Sequence, residues 1–282
     1  MNTIWSEHVQ GIGTLYLSRK LRFDDCFYEQ YEDAFQLDPH AKLRILEIGC
    51  GPGALAEALH RWYPNAEITA MDRDSAFVQW GREHIDGVTF VEGDATAIPF
   101  SDGTFDVVIS NTVQEHIEPT AFWKEQKRIL KNGICLCLSA RKGIYSVADC
   151  LKATQEETDF WNRCPDWREE NKAYQVCRYP MTEAQLPASM EQNGFSNVST
   201  GYAVIDLTPD APKYSKDMAE AMIEAMRASD LEAVRQHPIE GYSDILQIIN
   251  DKYDRRLFLY RNGEKQWDTS VSVTMVVRGV AE

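Results

Sequence analysis

The chain has no surplus of basic charge: 29 Lys and Arg stand against 44 Asp and Glu, a formal charge of −15 over 282 residues. Nucleic acids and anionic membrane surfaces are met by basic patches, so this balance disfavours both as partners. No stretch approaches the roughly 18 uninterrupted apolar residues of a spanning helix, and membrane insertion is not expected. The first residues, MNTIWSEHVQ, carry acid and polar groups where a secretory leader has a basic and then an apolar run. Glycine (16) and proline (11) are too sparse for a collagen-like or low-complexity chain. The seven cysteines form no CxxC pair and the six histidines miss zinc-ligand spacing, so no metal site is expected. An odd, scattered set of thiols points to a reducing, cytoplasmic compartment. Cys135 and Cys137, two apart in an apolar run, read as small buried hydrophobes on one face of a strand.

What is present is a globular chain long enough to bury about 75% of its unfolded surface. Residues 43–49, LRILEIG, form a short apolar run ending in glycine, which predicts a buried strand. Helical spacing of Leu55, Leu59 and Trp62 follows. Strands at 67–71, 88–91, 105–110 and 134–139 alternate with helices at 75–84 and 120–130, and Asn132-Gly133 reads as a helix stop. Apolar strands alternating with helices predict an α/β fold with a mostly parallel sheet covered by helices on both faces. After residue 140 the rhythm breaks. A helix at 182–193, a strand at 196–206 and a last strand at 271–277 restore it. The expected organisation is an N-terminal helical arm (1–40), a core (41–140), a helical insert (141–181), more core (182–207), a second helical insert (208–267) and the last core strand (268–282).

The chemistry sits in three turns. Residues 46–59, LEIGCGPGALAEAL, place Gly49, Gly51 and Gly53 between a strand and a helix, where a ligand can approach backbone N–H groups. Gly49-x-Gly51-x-x-Ala54 also satisfies the relaxed dinucleotide fingerprint, and a plain tight turn is the bland reading. Asp72 follows the second strand, 19 residues beyond Gly53, where a carboxylate can accept from a ribose diol. Asp74 is placed to cap the next helix. Asp94, in VEGDATAIPF, follows the third strand and can accept from an adenine amino group, while Asn111 ends the fourth.

LEIGCGPG, the acid of TAMDRD, VEGDATAIPF, FDVVISNTVQEHI and RILKNGICLCLS, in this order, resemble the class I S-adenosylmethionine-dependent methyltransferases of the UbiE-like or type 11 branch. The resemblance implies a Rossmann-like, seven-stranded sheet whose last strand inserts antiparallel between the fifth and sixth, and S-adenosylmethionine as cofactor. It implies that Gly49, Gly51 and Gly53 line the methionine moiety and that Glu47 holds its ammonium. It further implies Asp72 on the ribose, Arg73 beside the adenine, Asp94 and Ala95 at the adenine edge, and the Asn111 carbonyl toward the amino group. An apolar residue is frequent where Arg73 stands.

S-adenosylmethionine has no phosphate, so a glycine loop without a nearby Lys or Arg suffices, and acids such as Glu47 suit its positive charges. In-line methyl transfer needs alignment first and a base only when the acceptor must lose a proton. His116, in VQEHI, is the candidate base, with helix capping or packing beside the cofactor as its other reading. Tyr16 and Arg19 of the arm are candidates to fold over the cofactor. Trp161, Trp167, Tyr174 and Tyr179 either wall an acceptor pocket or form the core of a small helical subdomain. The two inserts are expected to cap the sheet's carboxyl edge. The expected function is methyl transfer to a small-molecule acceptor. The alternatives are an NAD-dependent oxidoreductase, which leaves GDATAIPF unexplained, and a non-catalytic S-adenosylmethionine-binding scaffold.

Overall fold

The computed structural model describes residues 5–282, the side chains of Trp167 and Arg168 apart. Strands form where the apolar runs are: β1 (Arg44–Ile48), β2 (Glu67–Asp72), β3 (Val88–Glu92), β4 (Phe105–Asn111), β5 (Leu130–Ser146), β6 (Phe195–Asp206) and β7 (Thr269–Ala281). They make one sheet in the order β3-β2-β1-β4-β5-β7-β6, parallel from β3 through β5. β7 runs against β6, since Ser196 Oγ reaches the Val280 carbonyl while Leu207 N–H donates to the Ser270 carbonyl.

The helices are α1 (Trp5–His8), α2 (Ile12–Arg22), α3 (Tyr28–Phe35), α4 (Ala54–Trp62), α5 (Ser75–His84), α6 (Pro119–Ile129), α7 (Gln155–Trp161), α8 (Trp167–Glu170), α9 (Gln185–Gln192), α10 (Lys216–Gln236) and α11 (Ile245–Arg261). Phe122 and Trp123 of α6 and Leu186 and Met190 of α9 share a core with Leu46, Ile48, Val108, Cys135 and Cys137. Ile45, Val107, Ile109, Leu136 and Leu138 alternate with these along the strands and are equally buried, so both faces of the sheet are covered. No helix among the described residues is long and apolar enough to cross a membrane. On the outer strand β6 the Gln30 carboxamide occupies both backbone groups of Val204, which blunts that edge.

One expectation is corrected. Asn132-Gly133 does not stop α6, which ends at Ile129 with Leu130 already extended. Asn132 is left-handed inside β5, where Phe105 pairs Leu130 but Val107 pairs Ile134, an irregularity in the ladder. A Cβ on Gly133 would lie 2.2 Å from the Asp106 carbonyl oxygen, so the glycine is demanded by strand pairing.

Two units divide the chain. The first runs through Arg141 and takes up Asn171–Val204 and Val273–Glu282; the second is Lys142–Glu170 with Ile205–Ser272. The sequence reading put 171–181 in the helical insert, whereas these residues belong with the first unit. The reason is local bonding: Tyr179 N–H donates to the Glu115 carbonyl and the Tyr174 ring stacks on His8. Within the second unit, Leu151 and Phe160 join Ile223, Ile245, Ile249 and Leu257 in one core. Trp161 packs against that core and donates to Glu157, so it is a core residue of this unit. Of the other three aromatics in that expectation, Tyr174 and Tyr179 belong to the first unit, and the Trp167 side chain lies outside the described residues. Arg256 is buried between Asp210 and Asp268, an arrangement in which losing any one partner would strand a charge.

Candidate active site

At the end of β1 the chain turns sharply, because Gly49 N–H and Cys50 N–H both donate to the Met71 carbonyl at the end of β2. Gly49, Gly51 and Gly53 all have positive φ, and Gly53 precedes α4 without any side-chain cap. The space their missing Cβ atoms leave is filled by Val113, Leu15 and Phe90 respectively, so what the turn offers a ligand is backbone.

Two acids frame the turn. Glu47, paired in register with Ala70 and Ile109, is 2% exposed and takes a hydrogen bond from the Ala56 N–H in the first turn of α4. Its Oε2 is buried with no partner. Burial pushes the Glu47 pKa well above the usual carboxylate range, and the nearby Asp72 charge adds to the shift. Asp72 ends β2. Its Oδ2 accepts from Gly51 N–H (2.8 Å) and its Oδ1 from Asp74 N–H (2.9 Å), and burial raises its pKa against those bonds. Asp74 caps α5 through Ala76 N–H and holds the arm by accepting from Ser6 N–H at 2.7 Å.

The other residues singled out from sequence lie in the neighbouring loops. Arg73 is exposed. Asp94, also exposed, uses Oδ1 to hold the N–H and hydroxyl of Thr96, and Ala95 is half-buried beside it. Asn111 ends β4 opposite Leu138, and its carbonyl accepts from the Thr112 hydroxyl at 2.7 Å.

His116 is enclosed. Cys177 N–H donates to its Nδ1 at 2.9 Å, the Trp5 ring meets it edge-on at 4.9 Å, and its Nε2 lies 4.0 Å from Glu115 Oε1. Burial drives its pKa down to about 4, with Arg73 contributing and a hydrogen bond to the Thr112 backbone opposing. With Nδ1 accepting, the neutral ring carries its hydrogen on Nε2, so at neutral pH neither nitrogen is free to take a proton. That argues for a neutral clamp between the loop after β4 and residues 174–181, against the expectation of a general base. Cys177, Trp5 and Val113 were not singled out from sequence, and nothing local in the chain marks them.

The depressed pKa has a measurable consequence. Above pH 6.5 the ring is neutral both folded and unfolded, and its contribution to stability is complete. As pH falls from 6.5 toward 4, the unfolded chain takes a proton that the folded one refuses, and stability is lost, by about 2 kcal/mol at pH 5. His116→Asn keeps an acceptor for Cys177 N–H and does not titrate. Urea unfolding at pH 8 and pH 5 should therefore show the wild type losing about 2 kcal/mol more than the variant. Glu47 and Asp72, whose raised pKa values act in the opposite sense, are common to both proteins and cancel. An equal loss in the two would remove the clamp.

The arm lies over the turn. Leu15 of α2 sits against Gly51, where a Cβ would meet it at 3.3 Å. Tyr16 donates to Glu57 Oε2 (2.8 Å), and its ring lies 4.5 Å from that of Trp80. Arg19 follows Leu15 by one turn and is half-buried.

A doubly wound sheet with this glycine turn, an acid after β2 and an inserted last strand has the fold of the class I S-adenosylmethionine-dependent methyltransferases. Residues 46–137 match the family model described as a methyltransferase domain. A phthiotriol/phenolphthiotriol dimycocerosates methyltransferase of Mycobacterium ulcerans is 36% identical over 137 residues, 47% of this chain and 49% of that protein. A fatty-acid O-methyltransferase of Mycolicibacterium smegmatis is 37% identical over 107 residues, 36% of this chain and 38% of that protein. The chain spans about half the length, or less, of the curated relatives it matches. Among solved structures, phosphoethanolamine N-methyltransferase 2 of Haemonchus contortus, in complex with S-adenosyl-L-methionine, shares the fold at a TM-score of 0.53 and 16% identity. That likeness covers 98% of this chain and 59% of that one. A methyltransferase of Thermotoga maritima aligns over the whole of both chains at a TM-score of 0.51 and 16% identity.

Proposed function

We propose that the chain is an S-adenosylmethionine-dependent methyltransferase acting on a small-molecule acceptor in the cytoplasm. The observation that carries this reading is the Glu47 carboxylate, buried beneath the start of α4 with one oxygen unpartnered. A buried acid in that position ionises when an ammonium pairs with it and gains nothing from the pyrophosphate of a dinucleotide, which favours S-adenosylmethionine over NAD. When bound, S-adenosylmethionine supplies a methyl group activated by a sulfonium. In this reading Glu47 holds the ammonium and the Asn111 carbonyl faces it, while Gly49, Gly51 and Gly53 offer backbone to the methionine moiety. Asp72 accepts from the ribose hydroxyls with its remaining lone pairs. Asp94 and Ala95 meet the adenine edge, and Arg73 stacks on its face. Trp5, Leu15 and Tyr16 keep water from the reacting atoms, and His116 shapes the loop after β4 without moving a proton.

Calorimetric titration should show binding of S-adenosylmethionine and S-adenosylhomocysteine and none of NAD; the reverse pattern would sink the reading. Turnover against a metabolite panel separates an enzyme from a scaffold. Glu47→Gln should weaken S-adenosylhomocysteine about tenfold. Binding of 5′-methylthioadenosine, which lacks the amino acid portion, should be unchanged. Equal losses for both ligands would show that Glu47 does not read the ammonium.

A further inference from the structure

Two histidines fasten the segment that joins the two units, and their hydrogen bonds call for opposite protonation states. The chain passes from the second unit to the first between Glu170 and Asn171. On the second-unit side, His237 Nε2 stands 2.8 Å from Glu170 Oε2, and its Nδ1 stands 2.8 Å from the Ala233 carbonyl oxygen. A carbonyl oxygen only accepts, and so does an ionised carboxylate. A neutral imidazole has one hydrogen to give and can serve one of them; serving both takes the imidazolium. His237 is also the C-cap of the 21-residue α10, where the helix dipole favours positive charge. Its side chain is only 12% exposed, so solvent screens the pair weakly.

The first-unit side is the reverse. His116 Nδ1 accepts from Cys177 N–H, a bond that only an unprotonated nitrogen can make. Tyr179 N–H on the Glu115 carbonyl and the Gln114 carboxamide on the Tyr179 carbonyl tie the same stretch to the loop after β4. Arg73 and Glu115 are the charged groups that face His116. At His237 the charged groups on the elements that meet are Asp166, Arg168, Glu169 and Glu170 on or beside α8, and Glu232 and Arg235 near the end of α10. The Arg168 side chain lies outside the described residues. Among the described ones, Glu170 is the charge that acts on the ring: burial pulls the His237 pKa down, but the bonds to Glu170 and the Ala233 carbonyl outweigh it and leave it raised. The Cys164 thiol also feels the Glu170 charge.

We propose that residues 170–177 are a pH-gated connector, fastened to α10 only while His237 is charged and to the loop after β4 only while His116 is neutral. Both fastenings hold together in mildly acidic to neutral solution. The charged form of His237 is favoured by the fold, so its contribution is complete below the ordinary histidine value of about 6.5 and is lost as pH climbs through the raised one. Alkali therefore frees the Glu170 end and leaves Cys177 in place. Acid acts at the other end, as His116 takes a proton toward pH 4. What is gated is the freedom of the stretch that carries Cys177 and Tyr179 onto the loop after β4. Neither methyl donor nor acceptor enters, so the device stands or falls apart from the methyltransferase reading.

Nuclear magnetic resonance on the full chain tests it. The His237 C2 proton, assigned by its loss in His237→Gln, should titrate with a midpoint above about 6.5, and Glu170→Gln should lower that midpoint. Order parameters at Cα need no exchangeable proton and can be compared at pH 6 and pH 9. At Glu170 the wild type should go from rigid, about 0.85, to below about 0.6, while Cys177 stays rigid at both. In Glu170→Gln the carboxamide both donates and accepts, so it holds either form of the ring, and position 170 should stay rigid throughout. A midpoint at or below 6.5, a wild-type Glu170 still rigid at pH 9, or a Glu170→Gln protein that loosens as the wild type does would each overturn the proposal. So would loosening of Cys177 together with Glu170, which would mark a common melting of the segment.

Discussion

Asp72→Ala is expected to weaken S-adenosylhomocysteine binding by roughly a hundredfold or more. Two charge-assisted hydrogen bonds to a ribose diol, at about 1.5–3 kcal/mol each, set that scale. The carboxylate also fastens the glycine turn through Gly51 N–H and the start of α5 through Asp74 N–H. The substitution should therefore cost stability as well, by about 1–3 kcal/mol, and titration belongs well below the melting temperature. Asp72→Asn, which retains one acceptor for those N–H groups, should recover stability more than affinity. Wild-type affinity in a folded Asp72→Ala protein would remove the ribose assignment.

Gly53→Ala is expected to destabilise the first unit by roughly 2–5 kcal/mol. Gly53 has φ +94°, in the region that L side chains avoid, and an added Cβ would lie 2.6 Å from Phe90 Cζ and 3.0 Å from Ile85 Cδ1. Phe90 cannot simply step aside, since its ring also fills the space over Gly81, where a Cβ would lie 2.3 Å from it. The glycine thus seats α4 and α5 closely on β3. Denaturant unfolding should show the loss, and adding Phe90→Leu to Gly53→Ala should return part of it. If the double variant is no more stable than the sum of the single effects predicts, ring overlap is not the cause.

Much of the fold was legible because its signals are local. Apolar runs marked β1, which ends in glycine, and β4, and helical spacing of Leu55, Leu59 and Trp62 marked α4. Asp74 was readable as a cap because capping acts over two residues, and it does accept from Ala76 N–H. The Asn132-Gly133 reading went wrong for a matching reason. The pair has helix-stop chemistry, but the ladder with β4 claimed Asn132 and Gly133 for the strand. Residues 171–181 carried no periodic signal, and their partners Glu115 and His8 lie far away in the chain.

By itself the sequence determined the alternation of strands and helices, the glycine turn, and the placing of Glu47, Asp72, Asp94 and Asn111 at strand ends. Each of these depends on residue type and near neighbours. Only the tertiary structure decided what those groups are. It buried Glu47 with an oxygen unpaired and laid Leu15 over Gly51. It also set on His116 Nδ1 an N–H that lies 61 residues further along the chain. Burial and long-range hydrogen bonds set protonation and unspent bonding capacity, and neither is encoded in any window of neighbouring residues.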